Sequence, residues 1–341
     1  MGDIRVPHRW ASRMPPDQLL ILDARAAGLL LLATMTTLIV ACGGGGTGAA
    51  SGGASMGNAS FSDGTLTGFG SIFVNGSEYD ISSAKITDDF GNLEGAGALK
   101  LGMHVEVTGN DADPGATPPG QGTAVTVQYW SDLEGPVSAV EGDTIEMLGQ
   151  TVDATPDTVW DAALVGQLAG LTAGEVIKVY SLYDSASSRY LATRIEADST
   201  ATHYKIRGMV SDVDTLAKSY MVGNVPVDYT GVRNPPANLA TGVIATAELQ
   251  TARRGFTWMA TGLQVHSGAP PANHVLMHLR GVISTESAPT SFVLDGWRVD
   301  ASSATFADGQ LAIVAGAVVQ VEGIMTGGSL VATSVELASG S

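Results

Sequence analysis

The chain has 341 residues, enough for two to four ordinary domains. Charged residues make up only 15% of it, and 43 glycines with few aromatic side chains favour strands and turns over helices. The formal net charge is −17 and the only pair of adjacent basic residues is Arg253-Arg254, so the composition excludes a protein that binds nucleic acid through its phosphates.

The N-terminus is predicted to be a targeting segment. Residues 26–41 carry no charge and are rich in Leu, Ile and Val, which is short for a membrane span of about 20 residues. The segment ends in Ile39-Val40-Ala41-Cys42, which resembles a bacterial lipobox. The resemblance implies that residues 1–41 are a lipoprotein signal peptide and that Cys42 becomes the lipid-bearing first residue. A secreted protein with an incidental cysteine and an uncleaved anchor helix are the alternatives.

Residues 42–64 are mostly Gly, Ser, Ala and Thr, a composition typical of a flexible tether. In Gram-negative lipoproteins an Asp after the lipidated Cys tends to retain the protein at the inner membrane. Here Gly43 follows Cys42, so the resemblance implies a lipid anchor in the outer membrane, facing the periplasm or the cell surface. Cys42 is the sole cysteine, so disulfides are not expected to stabilise the fold.

A hairpin pattern, with a glycine at its start and an acidic residue at its end, occurs four times. The copies are Gly68 to Asp80, Gly135 to Asp153, Gly208 to Asp228 and Gly281 to Asp300, and their glycines are 67, 73 and 73 residues apart. A repeat of about 70 residues is too long for a solenoid unit and long enough for a small closed domain. The predicted units are 65–130, 131–199, 203–267 and 277–338, with a Pro-rich linker over 267–273.

Each hairpin is followed by a Leu and then by a Gly that opens a strand. In every copy, the third and the fifth residues after this Gly are apolar. Alternation places both side chains on one face, so we expect them to point into a core. The pairs expected in three separate cores are Val105 and Val107, Ile177 and Val179, and Val319 and Val321.

A second strand signature closes each copy. It has an Ala and an apolar residue three positions later, as in Ala192-Thr-Arg-Ile195. Because this spacing would place the two side chains on opposite faces of a regular strand, we predict a β-bulge in each copy.

These patterns predict an all-β fold of tandem small barrels, each with five or six strands. Short turns of helix are expected before the Leu–Gly strand, at Asp161 to Leu168 and at Pro236 to Leu239. Five strands with one short helix are typical of the oligonucleotide/oligosaccharide-binding (OB) fold, so the barrels are predicted to be OB-like.

The recurring pattern resembles the bacterial "domain of unknown function 5666" family. Copies 1 and 4 are nearest to it, with G-F-G-S-I-F-V-N-G-S-E-Y-D in copy 1 and G-W-R-V-D followed by V-V-Q-V-E-G in copy 4. Copies 2 and 3 depart from it at Tyr180, Ala245 and Ala247. Together the copies cover nearly all of the chain after Cys42. The resemblance implies a fold and brings no activity, cofactor or catalytic residue.

One surface is a speculative ligand-binding candidate. Lys178 and Tyr180 share strand parity opposite the inward Ile177, and Arg189 and Tyr190 lie on the returning strand. An exposed face of this composition is suited to a glycan or an envelope protein. The alternative is ordinary cross-strand pairing on a solvated face.

Metal sites are not predicted. His274 and His278 have the spacing of two zinc ligands, but no Cys or intervening Glu supports them. Asp111 and Asp113 alternate like the ligands of a calcium loop, but Gly122 stands where an EF-hand requires Glu. No catalytic motif is present, so we predict no catalytic residue and no cofactor.

Two classes of function follow. The first is a non-enzymatic, lipid-anchored envelope protein, which contacts the membrane through its N-terminal lipid and binds or spaces a glycan or an envelope protein. The alternative is a metal-binding or hydrolytic envelope enzyme with its site between repeats. The repetition of one fold favours the first.

Overall fold

A computed structural model describes residues 59–111, 121–266 and 272–338. The predicted signal peptide, Cys42, the tether as far as residue 58, residues 113–115 of the calcium-like loop and most of the linker lie outside these ranges. The first described strand begins at Ala59, upstream of the predicted unit boundary at residue 65. Among the described residues, no helix is long and apolar enough to span a bilayer.

The described chain is built from strands and three short 3-10 helices. The strands of repeat 1 are β1 (Ala59–Gly68), β2 (Ile72–Val74), β3 (Ser77–Asp80), β4 (Lys85–Thr87), β5 (Leu93–Glu94), β6 (His104–Asn110) and β7 (Gly122–Trp130). Those of repeat 2 are β8 (Leu133–Glu141), β9 (Thr144–Met147), β10 (Gln150–Trp160), β11 (Val176–Asp184) and β12 (Arg189–Ala197). Those of repeat 3 are β13 (Tyr204–Asp214), β14 (Ser219–Val222), β15 (Val225–Asp228), β16 (Ile244–Leu249) and β17 (Trp258–His266). Those of repeat 4 are β18 (Leu276–Ala288), β19 (Ser291–Leu294), β20 (Trp297–Asp300), β21 (Thr305–Phe306), β22 (Val318–Thr326) and β23 (Ser329–Leu337).

Five strands of each repeat close into a barrel. In repeat 2, β8 pairs with β9 and β9 with β10, β10 lies parallel to β12, and β11 pairs with both β12 and β8. The same circuit closes repeats 1, 3 and 4. The prediction of tandem OB-like five-stranded barrels is therefore confirmed.

The segment between the third and fourth barrel strands is less helical than predicted. It holds the 3-10 helices Ala96–Ala98, Gln167–Gly170 and Gln310–Ala312 in repeats 1, 2 and 4. Asp161 to Leu168 is largely turn, and in repeat 3 the predicted helix is a single turn in which the Leu239 N–H donates to the Pro236 carbonyl at 3.3 Å. Gly166, with a φ of 86°, interrupts the first segment, and both segments are too short to sustain a helix on their own.

The predicted β-bulges are present in all four repeats. The register between the last two barrel strands shifts once in each repeat. The unpaired residue of the last strand at this shift is Val125, Thr193, Thr261 or Thr333. The bulge brings the Ala and the later apolar residue to the same face, and both are buried in every copy.

In the first copy, the glycine equivalent to Gly135, Gly208 and Gly281 is not the one that the sequence pattern suggested. Gly64, not Gly68, pairs with Val105, as Gly135 pairs with Ile177, Gly208 with Ala245 and Gly281 with Val319. A turn residue of the hairpin packs against Gly64, Gly135 and Gly281, where a Cβ would collide with it. The first barrel glycine is therefore Gly64, because this contact and not the start of the hairpin defines the position.

The apolar strand residues lie in three hydrophobic clusters. Val105 and Val107 lie in repeat 1, Ile177 and Val179 in a cluster that spans repeats 2 and 3, and Val319 and Val321 in repeat 4. The separate placement of these three pairs is confirmed. Repeats 2 and 3, however, share one continuous core.

Sheet pairing also joins the barrels. Residues 60–63 of β1 lie parallel to residues 276–279 of β18, so repeats 1 and 4 share a sheet. Leu133 and Glu134 of β8 pair with Ile206 and Lys205 of β13, which joins repeats 2 and 3. Residues 59–338 form one compact unit rather than separate barrels on a string.

Candidate functional site

A cavity of about 290 Å³ lies where the repeats meet. Every repeat contributes to its wall: Asp63, His104 and Trp130 from repeat 1, Ser181 and Tyr183 from repeat 2, Arg207 and His266 from repeat 3, and Asp295 and Trp297 from repeat 4. Volumes near 300 Å³ are typical of the smaller ligand pockets of proteins.

Two of the charged side chains of this central cavity come from equivalent positions of two repeats. Asp63 and Arg207 each precede the barrel glycine of their repeat. Asp295 is the first turn residue of the β19–β20 hairpin and adopts a φ of 46°, a left-handed conformation that Asp tolerates better than most residues. Its carboxylate occupies the space that a Cβ at Gly281 would need, so the glycine allows this side chain to enter the cavity.

Asp63 and His104 form a buried ion pair, with His104 Nε2 2.5 Å from Asp63 Oδ1. His104 Nδ1 also donates to the Ser181 carbonyl at 3.2 Å, so both ring nitrogens have acceptors. Burial opposes the charge on each group, but the mutual attraction and hydrogen bond prevail. They raise the pKa of His104 and lower the pKa of Asp63.

Asp132 and Arg207 form the second buried pair, with Nη1 3.1 Å from Oδ1. The other oxygen of Asp132 accepts hydrogen bonds from the Ser181 N–H at 2.8 Å and the Ser181 hydroxyl at 2.7 Å. The Arg207 guanidinium lies 4.6 Å from the centre of the Trp130 ring, within range of a cation–π interaction. Repeats 2 and 3 thus fix the linking residue Asp132 and the indole beside it.

Two further groups near the cavity, His266 and Glu106, have strongly shifted pKa values. Burial lowers the pKa of His266 to about 4, and burial together with the Asp63 charge raises the pKa of Glu106 to about 7. His266 Nε2 lies 3.7 Å from Glu106 Oε2. Their contact is between a neutral imidazole and a carboxyl group near its midpoint, rather than a full ion pair.

Asp295 is the most perturbed carboxyl group of the cavity. Desolvation is the main cause that raises the pKa of Asp295 to about 8, and the negative charge of Asp63 is the second. The side chain is nevertheless open to the cavity. A carboxyl group with a raised pKa can donate as well as accept a hydrogen bond near neutral pH.

Aromatic rings complete the central cavity. Trp130 stacks between His104 and His266, with ring centres 4.8 and 5.2 Å away. Its indole N–H is buried and has no hydrogen-bond partner within the described ranges. Together with Trp297 and Tyr183, these rings offer apolar faces beside groups that donate and accept hydrogen bonds.

The four ligand-binding candidates of repeat 2 do not form an exposed face. Tyr180 is 3% exposed and packs into the core cluster of repeat 1. Tyr190 is fully buried and donates its hydroxyl to the Arg207 carbonyl at 2.7 Å. Lys178 pairs with Glu134 and Asp198, and Arg189 with Asp153. The expectation of one exposed face is wrong because repeat 1 covers Tyr180 and Tyr190 lies in the core shared by repeats 2 and 3, whereas the side chain of Arg189 is 40% exposed.

The histidine pair is also separated in environment. His278 is buried with Nε2 3.1 Å from Asp111 Oδ2, whereas His274 lies exposed in a turn. Throughout 59–111, 121–266 and 272–338, no group of three or more acidic, His or Cys side chains has the geometry of a metal site.

Sequence reasoning missed the residues of the central cavity. A usable signal existed, because the residue before the barrel glycine is charged in every repeat: Asp63, Glu134, Arg207 and Arg280. Charged side chains are rarely buried unless they are paired, so a charge that recurs next to a core glycine indicates a buried partner. When Gly68 is taken as the equivalent glycine of the first repeat, the residue before it is Thr67, and the equivalence of Asp63 is not seen.

Closed five-strand barrels in tandem define the chain as a repeat protein of OB-like domains. Residues 134–196 and 280–336 match a family described as a domain of unknown function (DUF5666), so repeats 2 and 4 are domains of this family. Residues 111–121 lie between the two closing strands of repeat 1. No curated protein matches the chain.

Proposed function

We propose that the protein is a non-enzymatic, lipid-anchored envelope protein that binds a sugar unit of a glycan in the central cavity. The observation that carries this proposal is the cavity of about 290 Å³, to which all four repeats contribute. A string of spacers has no need of a shared polar cavity, whereas a binding protein does.

The wall chemistry favours a neutral, hydroxyl-rich ligand. Indole faces pack against the C–H surface of a sugar ring, and the surrounding polar groups can exchange hydrogen bonds with its hydroxyls. Asp295 offers a carboxyl group that both donates and accepts. The two charged pairs, Asp63–His104 and Asp132–Arg207, are already neutralised internally, so the cavity has no strong preference for an ionic ligand.

The location rests on the sequence. The lipobox-like Ile39-Val40-Ala41-Cys42 and the following Gly43 support a lipid anchor in the outer membrane. The acidic net charge of −17 supports a glycan or protein partner rather than a nucleic acid.

Calorimetric titration of the purified protein with glucose, N-acetylglucosamine and cellobiose tests the binding proposal. We expect saturable binding of at least one sugar, lost in Trp297→Ala and retained in Trp258→Phe. Trp258 is the matched control because it packs against Tyr204 in repeat 3, away from the cavity wall. Equal binding by the Trp297→Ala variant would contradict a site in this cavity.

Hydrolysis of a glycosidic bond in the same cavity is a second candidate function. It is favoured by the opposite states of two carboxyl groups, since Asp63 is ionised while Asp295 is mostly protonated. Such a pair can protonate the leaving oxygen from one group while the other activates the attacking water. Release of nitrophenol from nitrophenyl glycosides, abolished in Asp295→Asn, would replace the binding proposal with this one.

A further inference from the structure

A second cavity, of about 350 Å³, lies between repeats 1, 2 and 4. Its polar wall includes Thr65, Thr193 and Arg280, and its apolar wall is formed by Leu66, Leu101, Val159, Leu182, Leu191 and Val318. It shares no lining residue with the central cavity.

Arg280 departs from the rule that the other repeats follow. The charged residue before the barrel glycine is paired in the first three repeats: Asp63 with His104, Glu134 with Lys178 and Arg207 with Asp132. Arg280 has no carboxylate within ion-pair distance in the part of the chain that the structure describes, and its Nε has no hydrogen-bond partner there. Burial lowers the pKa of Arg280, which Asp157 offsets only from a distance. An incompletely solvated guanidinium without a partner favours an incoming anion.

Thr193 shows the same departure at the bulge position. The bulge threonines of repeats 3 and 4 bond back to their own barrels, Thr261 to the Glu248 carbonyl at 3.5 Å and Thr333 to the Glu322 carbonyl at 3.1 Å. The Thr193 hydroxyl is buried without such a partner, and so is the hydroxyl of Thr65, a residue that is 7% exposed. Three of the eight buried side-chain atoms without partners in the described residues therefore belong to the wall of this one cavity.

We propose that this second cavity binds a small organic monocarboxylate, with its carboxylate at Arg280, Thr65 and Thr193 and its apolar body along the leucine and valine wall. A planar guanidinium and two hydroxyls suit the two oxygens of a carboxylate. The single cation, with Asp157 in the same wall, disfavours a doubly charged anion such as phosphate. The apolar residues favour a ligand longer than acetate.

Calorimetric titration of the purified protein with octanoate tests this proposal, with octanamide, acetate and inorganic phosphate as comparisons. We expect octanoate to bind at least tenfold more tightly than each of the other three. Tighter binding of phosphate, or equal binding of octanamide, would overturn the assignment of a carboxylate.

Matched variants test the residues. Arg280→Met is expected to weaken octanoate binding at least tenfold, whereas Arg298→Met, an exposed arginine of the same repeat, leaves it unchanged. Arg280→Met should also raise the thermal midpoint of the ligand-free protein, because it removes an unpaired, partly buried charge. Octanoate binding that survives in a folded Arg280→Met protein would refute the proposal.

Thr193→Val provides the test if Arg280→Met does not fold. It is expected to weaken octanoate binding several-fold, while Thr333→Val, the equivalent bulge residue of repeat 4, has no effect on binding. Equal affinities in the two threonine variants would refute the proposed site.

Discussion

Asp132 Oδ1 lies 3.1 Å from Arg207 Nη1. This ion pair joins the segment before β8 to β13, the first strand of repeat 3. Asp132 is 1% exposed and also binds Ser181 of repeat 2. One buried carboxylate thus holds repeats 2 and 3 together beside the central cavity.

Replacement of Asp132 by Ala is predicted to destabilise the protein by about 3–5 kcal/mol, because it leaves Arg207 buried without its partner. Chemical denaturation measures the change in the free energy of unfolding. Asp153→Ala is the control, since it removes the partly exposed partner of Arg189 and should cost only about 0.2–1 kcal/mol. Equal costs for the two variants would contradict the role of Asp132.

Repeats 2 and 3 are predicted to unfold together because they share one hydrophobic core. Ile206→Asp places a charge in that core and should cost on the order of 4 kcal/mol. Hydrogen exchange should then show lost protection in both 131–199 and 203–266. Val319→Asp, at a fully buried position in the separate cluster of repeat 4, should leave repeat 2 protected. Protection that persists in repeat 2 of the Ile206→Asp variant would contradict the shared core.

Asp295 is predicted to make stability fall as the pH rises from about 4 to about 8. Its pKa is raised from 3.8 to about 8 in the folded protein, so in this window the folded state binds a proton that the unfolded state releases. Asp63, His104, Arg207 and Asp132 act on this carboxyl group through their charges.

The Asp295→Asn variant isolates this contribution from those of Glu106 and His266, which titrate in overlapping windows. We expect its stability relative to the wild type to increase with pH up to about 8 and then to level off. Thermal unfolding of both proteins across pH 4 to 9 measures the difference. A difference that does not vary with pH would show that Asp295 titrates normally.

The proposed lipid anchor at Cys42 predicts that Cys42→Ala abolishes incorporation of labelled fatty acid and association with the membrane fraction. The physical reason is that Cys42 is the sole thiol available for acylation. Cys42→Ala protein that still sediments with membranes would contradict the anchor.

The strands and the bulges could be predicted from the sequence because they depend on local spacing. In a regular strand, a spacing of three residues would place Ala192 and Ile195 on opposite faces. If both belong to the same core, the strand must contain a bulge between them. The burial of Val105 and Val107 follows from parity in the same way.

The sites could not be predicted because they depend on how the barrels pack. Asp63 and Asp295 belong to the first and last repeats and meet only at the junction of the barrels. Tyr180 has the parity of an outward residue in its own barrel, yet it is buried by repeat 1. Strand periodicity describes the inside and outside of one barrel, and it carries no information about which outer face another barrel covers.

The indole N–H signals of the tryptophans test whether the four repeats enclose one ligand cavity. Nuclear magnetic resonance spectra of the labelled protein, recorded during titration with the sugar that calorimetry identifies, report each indole separately. We expect the Trp130 and Trp297 signals, from repeats 1 and 4, to shift with the same dissociation constant while the Trp258 signal stays in place. Shifts confined to Trp258, or no shift of Trp130 and Trp297 at saturating sugar, would contradict one ligand cavity shared by the repeats.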